Sequence, residues 1–357
     1  MPTRSDSALA SLLLTNRLVD TGAEPLTSRD YWQLLDQVDD PAVLLGCSVE
    51  ALVGQFGLSR VIAERAAALL DAGTALAIEL DRFEQQGLHA VTPFDAAYPG
   101  RLSRRLGTTA PPVLYTAGSL ALLEHPGIAV VGSRTIADAG AVVATRVAQA
   151  AADRGDTVIS GGAKGVDRLA MDAASQAGGT VVGVLADALD RRLRKPDVRR
   201  AIRRNELCLV TPYRPTAGFS VASAMARNKI IYALARVTLV VAADAGRGGT
   251  WEGAVEALRR GFGPVAVWSG EGAGDGNEAL VSRGAHAVHD LERLFDEPPE
   301  IPVDPSSSCV WAYRRPRSAS LVRREGQRVA EQVRSLRVRR VHAPGRAARP
   351  GPGGDRS

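Results

Sequence analysis

At 357 residues with 45% hydrophobic side chains, the chain can bury one domain of about 170 residues and one or two smaller units. An aromatic content of 4% argues against a base-stacking platform, and three scattered cysteines, Cys47, Cys208 and Cys309, exclude a disulfide framework or a CxxC zinc site. The net charge of +5 belongs to the chain's end: from Ile301 onward 13 arginines and no lysine meet 4 acids, about +9. The first 300 residues hold 31 basic against 35 acidic side chains, about −4, so an anion site in the body must be local.

The apolar patch Leu9 to Leu14 is too short for a secretory signal or a membrane span, which predicts a cytoplasmic protein with no membrane partner. Through residues 8 to 78, apolar side chains such as Leu12, Leu13, Leu34, Leu35, Ala66 and Leu69 recur near a 3.6-residue period. That period predicts a small helical module over residues 1–78, with Thr27 to Asp30 as cap chemistry before its second helix. No glycine hairpin of the nucleic-acid-binding kind stands out in it. Residues 79–126 are broken by proline and glycine into short extended pieces and read as an ordered connector. Continuous apolar runs then predict strands at Ile128–Val131, Thr157–Ser160, Thr180–Leu185, Leu207–Val210, Thr238–Ala242, Val265–Trp268 and Ala285–Val288. Helical stretches alternate with them at Ala139–Arg154, Gly165–Ala177, Phe219–Leu234 and Trp251–Arg260. Alternation of this kind is the mark of an α/β, Rossmann-like, doubly wound and mostly parallel sheet over residues 127–296. Residues 297–357 read as an arginine-rich tail, largely disordered.

In a doubly wound sheet the loops leaving the C-terminal strand ends share one edge, and ligands bind there. Two of these loops combine glycine with a cation: Gly132-Ser133-Arg134 and Ser160-Gly161-Gly162-Ala163-Lys164-Gly165. Glycine admits an anion close to backbone N–H groups, and the following helix N-terminus adds partial positive charge. Gly248-Gly249-Thr250 before a helix is a further anion cradle. Arg227, Asn228 and Lys229 interrupt an apolar helix and are expected to face the site. Asp167 reads as a residue holding its loop rather than as a catalyst, and Ser160 as a hydrogen bonder at a strand end, since no histidine lies nearby to activate it. The basic run from Arg191 to Lys195, continued by Arg199, Arg200, Arg203 and Arg204, is either a solvated helix face or a track for phosphates.

Several segments taken together resemble the DNA-processing protein A (DprA/Smf) family. They are GLHAVTPFDAAYPGRL from Gly87, PPVLYTAGSL from Pro111, IAVVGSR from Ile128 and VISGGAKGVDRLAMDAASQAGGTVVGVL from Val158, followed by ARNKIIYALARVTLVVAAD from Ala226 and GGTWEGAVEAL from Gly248. The resemblance covers roughly residues 80 to 290 and includes four loops in order. It implies an extended Rossmann-type fold that binds single-stranded DNA at these loops and loads RecA recombinase onto it, working as a homodimer in natural transformation and recombination. It also implies a protein that is not an enzyme and needs no cofactor or metal. By motif position, Arg134 would engage the DNA backbone, Lys164 would stand near the family's basic residue, and Arg227 and Lys229 would form the basic pair around Asn228. The family's Tyr-Pro-x-x-Asn turn after the third strand is replaced here by Arg191 to Lys195.

Two other functions share this superfold. Arg227 with Gly249-Thr250-Trp251-Glu252 is similar to the pattern of the lysine-decarboxylase-like nucleoside-monophosphate phosphoribohydrolases. Those carry Gly-Thr-x-x-Glu, however, and the spacing here is one residue shorter. A nucleotide-binding sensor without turnover is the third alternative.

Overall fold

The computed structural model describes residues 4–299 apart from 16, 126, 297 and 298. The predicted tail therefore lies outside the described residues, as does Cys309. Five helices come first: α1 (Asp6–Thr15), α2 (Ser28–Val38), α3 (Val49–Phe56), α4 (Arg60–Leu70) and α5 (Gly73–Gln85). The cap at Thr27 forms a reciprocal box, its Oγ1 accepting the Asp30 N–H while its own N–H donates to the Asp30 carboxylate. A short turn through Gly57 (φ 67°), an ordinary left-handed helix cap, joins α3 to α4. The expected boundary at residue 78 falls inside α5.

The connector is part of the sheet rather than a linker. It supplies β1 (His89–Val91), α6 (Gly100–Leu106) and β2 (Leu114–Gly118), and β2 pairs antiparallel with β1 on one side. Its alternation puts Val91 and Leu114 in one core and Ala90 and Tyr115 in the other. Trp32 Nε1 donates to the Ala110 carbonyl (2.9 Å) and the Tyr98 hydroxyl to that of Pro111 (2.7 Å), so the helical module and the connector share one buried polar seam.

Then comes the βα alternation: β3 (Ile128–Val131), α7 (Asp138–Asp153), β4 (Val158–Ser160), α8 (Val166–Gln176), β5 (Val181–Val184), α9 (Leu189–Leu193), α10 (Pro196–Arg203) and β6 (Leu207–Thr211). It continues through α11 (Val221–Leu234), β7 (Val237–Val240), α12 (Gly248–Arg260), β8 (Val265–Trp268), α13 (Asn277–Val281), β9 (His286–Val288) and α14 (Leu291–Asp296). Among the described residues, nine strands form one sheet in the order β1-β2-β6-β5-β4-β3-β7-β8-β9. From β6 to β9 every neighbouring pair is parallel, while β1 and β2 extend the β6 edge antiparallel. Each predicted strand is present, two of them with the predicted ends and the rest with ends shifted by one or two residues.

Strands buried on both faces explain the continuous apolar runs. Along β3, Ile128 and Val130 point into a core shared with α7 and α8, and Ala129 and Val131 into one shared with α11 and α12. Cys208 is buried in β6, as its apolar setting suggested. No helix among the described residues is long and apolar enough to cross a membrane.

The chain runs β3, β4, β5, β6 outward in one direction, then crosses back to place β7 on the other side of β3. The order therefore reverses at the β3–β7 boundary, where crevices open in open α/β sheets.

Candidate nucleic-acid interface

Three loops converge on that boundary, and a few specific bonds tie them together. The Ser133 N–H, just after β3, donates to the Ala242 carbonyl after β7 (2.8 Å), and the Ser133 carbonyl accepts the Val166 N–H at the start of α8 (3.3 Å). Gly165 enters α8 at φ 90°, and a Cβ there would lie 2.3 Å from the Ser133 oxygen and 2.7 Å from Arg134 Cα. Only glycine permits that backbone angle and that approach together. The two glycine-and-cation loops predicted at one edge are thus in direct contact, and both cations, Arg134 and Lys164, are exposed there.

Asp167 is the fastener. Its buried carboxylate accepts the Gly161 N–H (3.1 Å) and so pins the second loop, while the N–H groups of Ala163 and Gly132 act on it electrostatically. Burial lifts this carboxyl above its ordinary range, while the Arg227 charge and those N–H groups hold it down. This agrees with Asp167 as a loop-holding residue.

Arg227 lies under the second loop. It is 5% exposed, and a Cβ on Gly161 would fall 1.7 Å from its Nη1. Its Nε and Nη1 are buried with no acceptor. Burial pushes the guanidinium below its ordinary range, and the nearby Asp167 and Asp187 carboxylates oppose the shift. A buried cation with two idle donors is costly unless an anion completes it.

α11 is held in place from behind. Arg101 donates to the Leu234 carbonyl (2.8 Å) and Arg105 to that of Ala233 (3.2 Å), so two connector cations cap the helix that carries Arg227. On the neighbouring face Asn228 Nδ2 donates to the Gly249 carbonyl (3.1 Å), fixing the third loop against α11. The N-terminus of α12 carries no side-chain cap, which leaves its first N–H groups free for a ligand, whereas α8, also without a side-chain cap, spends its Val166 N–H on Ser133 and its Arg168 N–H on the Ala163 carbonyl (3.1 Å).

Of the residues expected at the site, Arg134, Gly161, Gly162, Lys164, Gly165, Arg227, Asn228, Gly248, Gly249 and Thr250 are assembled on this edge. Ser133 joins them mainly through its backbone. Three are placed differently. The Lys229 Nζ donates to the Thr109 carbonyl (2.9 Å) beside the connector, because two helical residues turn it about 200° away from Arg227. Ser160 is fully buried and its hydroxyl donates to the Val130 carbonyl (2.7 Å), so it spans two strands instead of facing a ligand. Gly132 is a buried spacer, needed because Val166 would sit 2.4 Å from a Cβ there.

The geometry also adds residues. Arg247, exposed at the N-cap of α12, brings a further cation to the third loop. Tyr213, following β6, donates its hydroxyl to the Ser223 carbonyl (2.8 Å) and borders Arg227. Their place in loops that follow strands of the parallel sheet was the available signal. Glu252, the acid of the phosphoribohydrolase alternative, is exposed on α12 and makes no hydrogen bond or ion pair among the described residues.

The family model of DNA recombination-mediator protein A matches residues 89–298, more than half of the chain. The DNA processing protein DprA of Streptococcus pneumoniae is 33% identical over 209 residues, covering 57% of this chain and 72% of its own length. Protein Smf of Escherichia coli is 31% identical over 221 residues, 60% of this chain and 57% of that protein. The X-ray structure of the Streptococcus pneumoniae DprA superposes with a TM-score of 0.62 at 25% identity, covering 83% of this chain and 98% of the other. With the glycine loops, the reversal of strand order and the matched segment all coinciding, the chain belongs to the DNA recombination-mediator protein A family.

Proposed function

We propose that this protein binds single-stranded DNA along the β3–β7 edge and acts in DNA processing during uptake and recombination in the cytoplasm. The observation that carries the proposal is Arg227: a buried guanidinium with two unpartnered donors, set beneath Gly161 on the loop edge that also holds the uncapped N-terminus of α12. A phosphate oxygen supplies the missing acceptor, and the exposed Arg134, Lys164 and Arg247 add charge around it. A flexible single strand can thread such a crevice, whereas a rigid duplex fits it poorly. The names of the relatives, which include DNA processing proteins, support the same process.

The proposed protein performs no turnover. Glu252 is poorly placed for glycosidic cleavage, so incubation with AMP should release no base; release abolished by Glu252→Gln would establish the enzyme instead. Following the family, RecA loading and a homodimer are part of the proposal. Failure to retain RecA recombinase in a pull-down, or a monomer by sedimentation, would remove those parts alone.

Gel-shift titration against single strand, duplex and mononucleotides tests the main claim. Single strand should bind most tightly, with steep salt dependence, and Arg227→Ala should weaken it. Tight mononucleotide binding with a shallow salt slope would identify a nucleotide sensor.

A further inference from the structure

The sequence from Arg191 to Arg204 holds eight cations and one acid, Asp197, in a body whose first 300 residues are net acidic. In the fold this run forms α9 and α10. Their apolar side chains face inward: Val198, Ala201 and Ile202 are half-buried, and Ile202 reaches β2 beside Gly118. Two of the cations have local partners, Arg192 on Asp187 (3.5 Å) and Arg194 on Asp190 (3.5 Å). Arg199 Nε donates to the Leu193 carbonyl (2.8 Å) and joins the two helices. The other five, Arg191, Lys195, Arg200, Arg203 and Arg204, are exposed and have no ion pair among the described residues.

The helix dipole accounts for Arg200 and Arg203 in the last turn of α10, but not for the number of cations: Arg199 and Arg203 stand four residues apart, a spacing at which like charges destabilise a helix. An ordinary solvated face would intersperse acids there. The segment also starts at the candidate site. It leaves the C-terminal end of β5, its Asp187 acts electrostatically on Arg227, and the Asp190 N–H donates to Pro215 (3.2 Å) in the loop next to Tyr213. From there α10 runs along the flank of β6 for about 12 Å.

We propose that the exposed arginine face of α9–α10 is a second phosphate-binding surface, which takes the stretch of single-stranded DNA that continues beyond the loop site. The inference rests on the single-strand function proposed above. It assigns this basic run to the nucleic-acid backbone, with no base recognition, because arginines on an exposed helix without aromatic neighbours read charge alone.

The test is fluorescence anisotropy on the full chain with two oligothymidylates, one of about 6 nucleotides, within the reach of a single strand-binding groove, and one of about 25. In the triple variant Arg200→Gln/Arg203→Gln/Arg204→Gln, the short strand should bind as it does to the wild type. The long strand should lose about two units of salt slope, three contacts at roughly 0.7 each. Its deficit at about 50 mM salt should therefore shrink some 15- to 20-fold by about 200 mM. Lysine at the same three positions should restore the long-strand affinity, which separates charge from any loss of folding. Arg134→Ala should weaken both strands; if it weakens neither, the loop site fails as the anchor and the inference resting on it falls as well. Wild-type long-strand affinity and slope in the glutamine variant would overturn the inference by itself and point to an acidic protein surface as the partner of this face.

Discussion

Adding one methyl group at Gly161 tests the link between fold and site most directly. A Cβ at this position would lie 1.7 Å from Arg227 Nη1, 2.6 Å from Cζ and 2.7 Å from Nη2. Carbon contacts settle near 3.5–4.0 Å, so the guanidinium must retreat by about 2 Å. It has little room to do so, being 5% exposed. Overpacking of this kind costs about 1–3 kcal/mol in stability. If the displaced guanidinium no longer meets a phosphate, a charge-assisted bond of about 1.5–3 kcal/mol is lost, which corresponds to about 10- to 150-fold in Kd. Gly161→Ala and Arg227→Ala should therefore weaken single-strand binding alike, and the double variant should be little worse than either. Urea denaturation with anisotropy titration on the four proteins of the cycle gives both couplings. Coupling above about 0.5 kcal/mol is expected, since the methyl has nothing to displace once Arg227 is gone. Additive effects within that margin would show that Gly161 does not act through Arg227, and the reasoning would fail.

Arg134→Ala and Lys164→Ala should each lower single-strand affinity and take about 0.7 from the salt slope, one phosphate contact apiece; wild-type slopes would exclude them from the site. Asn277→Ala should cost at least about 2 kcal/mol by urea denaturation, because three buried backbone groups, the Ala243 N–H and the Val241 and Trp268 carbonyls, lose their partner. A loss below about 0.5 kcal/mol would show that the loop after β7 closes without it. Burial raises the Asp167 carboxyl above its ordinary value of 3.8, so its contribution to stability is fullest below that pH and is lost as pH rises through the raised value. In Asp167→Asn that component of the pH dependence should vanish from the urea midpoints; identical pH profiles would refute the shift.

Much of the fold was legible because parallel strands covered on both faces must be apolar throughout. Runs such as Ile128–Val131 and Val265–Trp268 could be read without knowing their neighbours. The edge strands β1 and β2 escaped because an antiparallel edge of three to five residues, broken by prolines, has no local signature beyond its turns. Recognition of the site depended on the glycine loops. The angle at Gly165 and the approach at Gly161 are demands that no other residue meets, and the chain records them as glycine.

The placement of Lys229 has a physical cause. Periodicity says that Arg227 and Lys229 lie on different sides of α11, but not which side meets a ligand and which meets the connector. In the folded chain, α6 and its following turn bring the Thr109 carbonyl to the Lys229 amine, so that cation joins the scaffold.

By itself the sequence determined the parallel α/β core, the three glycine loops on one edge and the concentration of charge at Arg191–Arg204 and beyond Ile301. These depend on local properties, namely hydrophobic runs, backbone freedom and net charge. Only the tertiary structure decided that the Asp167 carboxylate would be buried on the Gly161 N–H, that Arg227 would be buried with idle donors, and that the arginine helix would start beside them. Each of those depends on distances between residues far apart in the chain, and such distances exist only once the strands have taken their order in the sheet.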